Sequence, residues 1–393
     1  MGRRAPDGPD RRTSTPTSAG DVPTRPVARK APYAPRVVDD TLADAVLDPR
    51  RHFVALVGEP LAGTSRTLGH LVGELRRSPG DPATDVRRVP GPRFSASGRG
   101  PSLAAAIVEA RKLGTPVTLV VDDLDSHVGR GLERPLVDGL AGTDIRMLGT
   151  IRSSQLDLLR GSFSEVADLV HEHRAGPTLG ARLSPEELQQ LPEPYRELRP
   201  SARSTLARSL SGAESVLRHL VEGAELEPLG LLVAELAALW GAVGLPEHAP
   251  TPALVRMARA TAPLRGLAPP TNDAMRTALT WATRVLDAPL PSVAGPRLLE
   301  PAPWGDRQLR PHPVLRAEAT SLRATEIAAA LPVLLAATDT AAAPRMAAAL
   351  LHGRANDGGG TRTAAAPLLR DRLGDVDVIS GVQQMLSRPD LTG

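Results

Sequence analysis

Gly58-Glu59-Pro60-Leu61-Ala62-Gly63-Thr64-Ser65 follows the apolar run Phe53-Val54-Ala55-Leu56-Val57 and precedes a segment of helical patterning from Ser65 to Arg77. The stretch satisfies the pattern G-x-x-x-x-G-K-[ST] at every defined position except the lysine, where Thr64 stands. With 35 glycines in 393 residues, such a glycine pair recurs by chance, so its placement matters more than its spelling. A strand before it and a helix after it aim backbone N–H groups at one point, an arrangement that holds phosphate.

Two further stretches belong with the first. Val117-Thr118-Leu119-Val120-Val121 reads as a buried strand and ends in Asp122-Asp123. Beside a phosphate loop, Asp122 would support Mg²⁺ and Asp123 would orient the attacking water. Met147-Leu148-Gly149-Thr150-Ile151-Arg152 reads as a strand that delivers a hydroxyl and a guanidinium at its C-terminal end, where open α/β sheets bind ligands. Arg152 there can meet a γ-phosphate with two hydrogen bonds. Taken singly, Asp122-Asp123-Leu124-Asp125 also reads as a polar turn, and Arg152 as a surface residue. The order decides between them: 64 residues separate Gly58 from Asp122, and 30 separate Asp122 from Arg152.

The surrounding sequence predicts an α/β fold with a parallel sheet. Short strands are expected at 53–57, 86–89, 117–121 and 145–149, alternating with helices at 65–77, 102–113 and 133–140. Ser184-Pro185-Glu186-Glu187 forms a capping box and opens a mostly helical second half. Leu229 to Leu245 predicts a buried helix rather than a membrane span, because Glu235 sits inside it and the run is too short. From Ala324 to Leu351, Pro332 and Pro344 are expected to interrupt an alanine-rich pair of helices.

On Gly58 to Ser65, Leu119-Val120-Val121-Asp122-Asp123-Leu124, Gly149-Thr150-Ile151-Arg152 and Leu183-Ser184-Pro185-Glu186-Glu187, the chain resembles the STAND class of P-loop NTPases. These are signalling ATPases related to AAA+ and NB-ARC modules. The resemblance implies a P-loop NTPase domain over 37–183, a helical lid over 184–250, a winged-helix-like region over 251–320 and an Ala-rich helical region over 321–393. Gln308 to Glu318 looks like the late wing-and-helix segment of that third region. It also implies ATP or ADP with Mg²⁺ as ligand, a phosphate cradle at Gly58, Gly63, Thr64 and Ser65, metal support from Ser65 and Asp122, and γ-phosphate sensing by Arg152. Arg66 is the candidate to replace the missing lysine. A protein partner is expected on the C-terminal helical regions, with nucleotide-dependent self-association. The lid's Gly-x-Pro is not matched, since Glu227-Pro228-Leu229-Gly230 holds those residues in another order.

Composition sets the outer limits. The absence of cysteine excludes disulfides, thiolate metal sites and a cysteine nucleophile, and it fits a reducing, cytoplasmic setting. All but Lys30 and Lys112 of the 47 Lys and Arg residues are arginine, yet the formal net charge is only +3. Residues 1–36 hold eight basic side chains against Asp7, Asp10 and Asp21, a local charge of +5, which leaves the remainder at −2. Their Pro, Arg, Ser and Thr content predicts a disordered basic tail without an apolar secretory segment. A near-neutral body with few aromatics makes direct nucleic-acid binding unexpected.

His171 and His173 lack a third ligand, and the serine pairs at 153–154 and 162–164 lack a nucleophile setting. The leading function is thus a nucleotide-binding switch with attenuated ATP binding and hydrolysis. A catalytically dead scaffold is the alternative. A third reading, a winged-helix transcriptional regulator, requires a helix with basic and polar side chains on one face, and Arg276, Arg284 and Arg297 lie in the right region.

Overall fold

The computed structural model describes residues 32–77, 85–89, 102–128, 131–243, 245–289, 294–302, 305–318, 322 and 324–337. The expected tail up to Ala31 and the Ala-rich region beyond Ala337 lie outside the described residues.

The first half is a parallel sheet built as its apolar runs predict. Strands β1 (Phe53–Gly58), β2 (Asp85–Val89), β3 (Val117–Val121) and β4 (Ile145–Arg152) lie in the order β1-β4-β3-β2. All three of the neighbouring pairs are parallel. The segment 173–179 extends the sheet past β1, where the Ala55 N–H donates to the His173 carbonyl and the Leu179 N–H donates to the Val57 carbonyl. Successive side chains of a strand alternate between faces, so a strand covered on both sides must be apolar throughout. Every residue of β1 is buried. Phe53, Ala55 and Val57 pack with helices α3 (Leu103–Arg111), α5 (Ser153–Ser162) and α6 (Ser164–Glu172), near α4 (Arg134–Asp138). Val54 and Leu56 pack with α1 (Val38–Leu47) and α2 (Thr64–Arg77) on the other face.

Short helices follow: α7 (Pro185–Gln189), α8 (Glu193–Arg196), α9 (Pro200–Ser204) and α10 (Leu206–Leu210). The Ser184–Glu187 capping box forms at the start of α7. This group shares a small core with Ala34, through Leu183, Leu191, Tyr195, Leu206 and Leu210. The chain from Pro32 to Arg36 is therefore packed structure, which moves the end of the expected tail at residue 36 toward the N-terminus. Tyr33 stacks on His70 of α2, and the Arg36 guanidinium is buried.

The remaining elements share one core. Helices α11 (Ala213–Leu226), α12 (Pro228–Ala242), α13 (Thr251–Thr261), α14 (Asn272–Ala282), α15 (Pro313–Glu318) and α16 (Ala324–Ala336) enclose a three-stranded sheet. Its strands β5 (Ala249–Pro250), β6 (Leu299–Ala302) and β7 (Gly305–Pro311) run antiparallel in the order β5-β7-β6. The expected boundaries at 250 and 320 fall inside this core, because Trp240, Leu254, Leu309 and Leu331 belong to one apolar cluster. Pro332 does not interrupt α16 but lies within it. Burial of Leu331 and Leu334 offsets the one backbone hydrogen bond that a helical proline forfeits. Arg265 ties α12 to α16 by bridging Glu235 and Glu326, at 2.6 and 3.0 Å.

Candidate functional site

The loop between β1 and α2 turns through left-handed backbone at Leu61, with φ 61°, and at Gly63, with φ 89°. Such a turn sets successive N–H groups around one hollow. The N–H groups of Leu61, Gly63, Thr64 and Ser65 meet no hydrogen-bond acceptor among the described residues. Because α2 starts at Thr64, those free donors sit at the positive end of a 14-residue helix. Gly58 is required by close approach, since a Cβ there would come within 2.2 Å of Thr64 Cγ2. Thr64 thus folds back over Gly58 rather than facing outward from the loop.

The ends of β3 and β4 meet this loop. Ser65 Oγ donates to Asp122 Oδ1 at 2.8 Å, and Thr150 Oγ1 donates to the same oxygen at 2.5 Å. The Thr150 hydroxyl also accepts from the Asp123 N–H at 3.1 Å. One hydroxyl on β4 thereby sets the direction of both carboxylates. Asp123 stands in left-handed backbone, φ 56° and ψ 65°, and starts the 3₁₀ turn Leu124–His127. Leu124 lies against Gly149 of β4, where a Cβ would come within 2.5 Å of its side chain, so the strand needs glycine there.

Arg152 Nε is 4.0 Å from Asp123 Oδ1. That nitrogen is buried and meets no hydrogen-bond acceptor among the described residues. Burial works against the Arg152 charge, but Asp123, Asp125, Glu247 and Asp122 outweigh it and hold the pKa above the ordinary arginine value. Glu247 comes from the second half of the chain, which also supplies Arg310 on β7. Arg310 pairs with Glu300 and lies 3.5 Å from Glu247. Its charge is opposed by burial and held by Glu247, Glu300 and Asp123, so its pKa too is raised. A continuous field of alternating charges therefore joins the two halves at the mouth of the parallel sheet.

Six of the eight sequence-derived site residues, Gly58, Gly63, Ser65, Asp122, Asp123 and Arg152, converge at this end of the sheet. Thr64 is beside them without a cation. Arg66 is directed elsewhere: its guanidinium donates to the Pro32 carbonyl and, at 3.3 Å, to Tyr195 Oη. Its position one residue past the loop turns it toward Tyr195 of α8, away from the place a loop lysine would reach.

Sequence reasoning missed the clasp around the loop. Arg36 donates from Nη1 to the Ala62 carbonyl at 2.7 Å, from Nη2 to the Gly180 carbonyl at 2.8 Å, and from Nε to Glu187 Oε1 at 2.8 Å. One guanidinium thus links the β1–α2 loop, the residue that follows segment 173–179 and helix α7. The Asp39 carboxylate accepting from the Arg36 N–H was the local signal, a helix-start pairing three residues apart. Ala207 of α10 closes over Gly63, where a Cβ would stand 3.3 Å from its own.

The described residues hold no cluster that fits a metal through three or more His, Cys, Asp or Glu side chains. None of their helices is long and apolar enough to cross a membrane. No family model and no curated protein matches the chain. A chain in a solved structure of Drosophila ORC bound to DNA is similar over 84% of this chain and 95% of its own, at 14% identity and a TM-score of 0.28. That score carries no argument about function, so the parallel-sheet α/β core and its site stand on their own geometry.

Proposed function

We propose that the chain is a STAND-like nucleotide-binding switch with attenuated ATP binding and hydrolysis, whose helical second half meets a protein partner. The Ser65–Asp122 hydrogen bond carries this reading. It brings the loop hydroxyl and the strand-end carboxylate to one point beside a row of free backbone donors, which suits a triphosphate and Mg²⁺ together. Ser65 and Asp122 would hold the metal, the loop N–H groups the phosphates, and Asp123 a water. The buried Nε of Arg152 would gain its missing acceptor from a γ-phosphate. Bound ATP would supply the phosphoanhydride whose cleavage resets the switch.

Attenuation follows from Thr64. Leaving a charge without its partner costs on the order of 2 to 5 kcal/mol. Arg66 does not offset it, being held at Pro32 and Tyr195. For the second half, the sequence α12, β5, α13, α14, β6, β7 and the central place of β7 support a winged-helix-like module that starts near Pro228. The charges of Glu247 and Arg310 beside Arg152 and Asp123 give that module a route to sense the nucleotide. Nucleotide-dependent self-association and the protein partner belong to the same reading.

Equilibrium binding of ATP and ADP, with and without Mg²⁺, tests it. The native protein is expected to bind weakly, and Thr64→Lys to gain at least about tenfold, or about 1.4 kcal/mol. Hydrolysis gained by that variant should disappear on adding Asp123→Asn. The closure of Ala207 over Gly63 favours a second reading, a scaffold that takes no nucleotide. Calorimetry that detects no nucleotide for either form decides for the scaffold.

A further inference from the structure

Helix α11 carries more apolar surface than the core covers. Its buried residues Ala213, Val216, His219 and Gly223 pack on the second half, and Leu217 and Leu220 stand half-buried at the edge of that core. Ala224 is exposed, and Val221 is 74% exposed. Leu217, Leu220, Val221 and Ala224 follow the spacing i, i+3, i+4, i+7 and share a sector of roughly 100° at 3.6 residues per turn. Among the described residues nothing covers the centre of this stripe. The surroundings are acidic: residues 213–227 hold Glu214, Glu222, Glu225 and Glu227 against Arg218.

We infer that this stripe is the docking surface for residues 377–388 of the same chain, laid on it as an amphipathic helix. The inference is independent of the nucleotide reading. In helical spacing Val378, Ile379, Val382, Met385 and Leu386 share a sector of roughly 120°, and no charged side chain lies between Asp377 and Arg388. Asp377 suits a helix start, Arg388 its last turn and Pro389 its stop. A short helix of this kind gains its stability by packing its apolar face, and helices recognise one another through such i, i+3, i+4, i+7 anchors. The length of chain between the two favours this occupant. Helix α16 shares the core on which α11 packs, and 39 residues lie between Ala337 and Asp377. A flexible chain of that length has a root-mean-square span of about 35 Å, and a folded unit of the size of residues 213–337 is about 35 Å across. Where tether and span match, the effective concentration of the tethered segment is of millimolar order. Charge agrees with the assignment, since Arg388 brings a cation to a face set among glutamates. A second copy of α11 laid antiparallel on the stripe would instead set Glu214 of one copy against Glu227 of the other. Docking makes the stripe conditional: a helix from a protein partner gains it only by displacing residues 377–388.

The test exploits a chain without cysteine. Glu225→Cys with Gln383→Cys puts one thiol beside each apolar face, and a short bismaleimide joins the two when residues 377–388 are docked. Cross-linking within the full chain is expected at a rate independent of protein concentration. Adding Val382→Asp and Met385→Asp should slow it at least about tenfold, and so should adding Val221→Asp, whose exposed position leaves the core intact. Arg160→Cys with Gln383→Cys is the control pair, with one thiol on an exposed position of the first half, and should react no faster than those variants. The second readout is fluorescence anisotropy of a labelled peptide of residues 375–390. It is expected to bind the full chain carrying Val382→Asp and Met385→Asp at least about tenfold tighter than the native chain, whose own segment competes, and to lose that binding when Val221→Asp is added. No cross-link, equal rates in the test and control pairs, rates that the aspartates leave unchanged, or peptide binding that is absent or indifferent to Val221→Asp would each overturn the inference. A rate that rises with protein concentration would overturn it too, by giving the face to a second copy.

Discussion

Replacing Glu187 should release the β1–α2 loop from its clasp, and the structure gives the size of the effect. The Glu187 carboxylate accepts from Arg36 Nε at 2.8 Å, from the Val37 N–H at 3.0 Å and from the Ser184 N–H at 2.7 Å. Both charged side chains of the pair are 7% exposed. Glu187→Ala leaves the Arg36 charge buried with only the Ala62 and Gly180 carbonyls as partners, and breaking a buried pair in this way costs about 3 to 5 kcal/mol. Glu187→Gln keeps the shape and part of the hydrogen bonding, so about 1.5 to 3 kcal/mol is expected, the worth of one charge-assisted bond. Several cores in one chain make a global two-state analysis unsuitable, and the readout is local. Hydrogen exchange at Val37 and Ser184 should accelerate in step with these energies, while β3 stays protected. Acid should act in the same direction. Burial opposes the Glu187 charge, but Arg36 and the two N–H groups outweigh it and hold the pKa below the ordinary carboxylate value. A depressed pKa contributes stability above the unfolded value, about 4.3, and loses it as pH falls through the folded value. Exchange at Val37 that is unchanged by Glu187→Ala, or a cost below about 1 kcal/mol, would refute the clasp.

Two further perturbations separate structure from site. Val120→Asp, in the middle of β3 and 1% exposed, should abolish soluble expression by burying an unpaired charge, whereas Asp122→Asn should fold normally and lose only Mg²⁺-dependent nucleotide affinity; equal damage, seen by gel filtration, would make Asp122 structural. Gly230→Ala should loosen the second half locally by about 1 to 3 kcal/mol, because its Cβ would stand 2.5 Å from the Trp281 ring, which also lies on Gly223; hydrogen exchange in α12 that does not accelerate would mean that the ring has room to move.

The parallel sheet was legible because a strand buried on both faces spells itself in unbroken apolar residues, as 53–57 and 117–121 do. The candidate site was legible for a related reason: Asp122 follows β3, Arg152 ends β4 and Ser65 opens the helix after β1, so finding the strands finds the residues. What escaped has other physics. Segment 173–179 runs beside β1 by backbone hydrogen bonds, but its Gly176 and Pro177 hide it from any apolar pattern. Strand β5 is two residues long and includes Pro250. The Arg36–Glu187 pair spans 151 positions, and no local period reports a contact made by folding at that distance. The direction of Arg66 depended on where Tyr195 arrived, which no spacing encodes.

Among the described residues, Leu61 and Asp123 are the non-glycine residues with positive φ, and both line the loop and strand end where nucleotide would sit. Left-handed backbone costs an L-residue on the order of 1 to 2 kcal/mol, less for aspartate, and glycine at either position would pay almost none of it. At Asp123, glycine would relieve that strain but would also strip the buried Arg152 and Arg310 of a counter-charge, so the strained backbone is kept by the electrostatics around it.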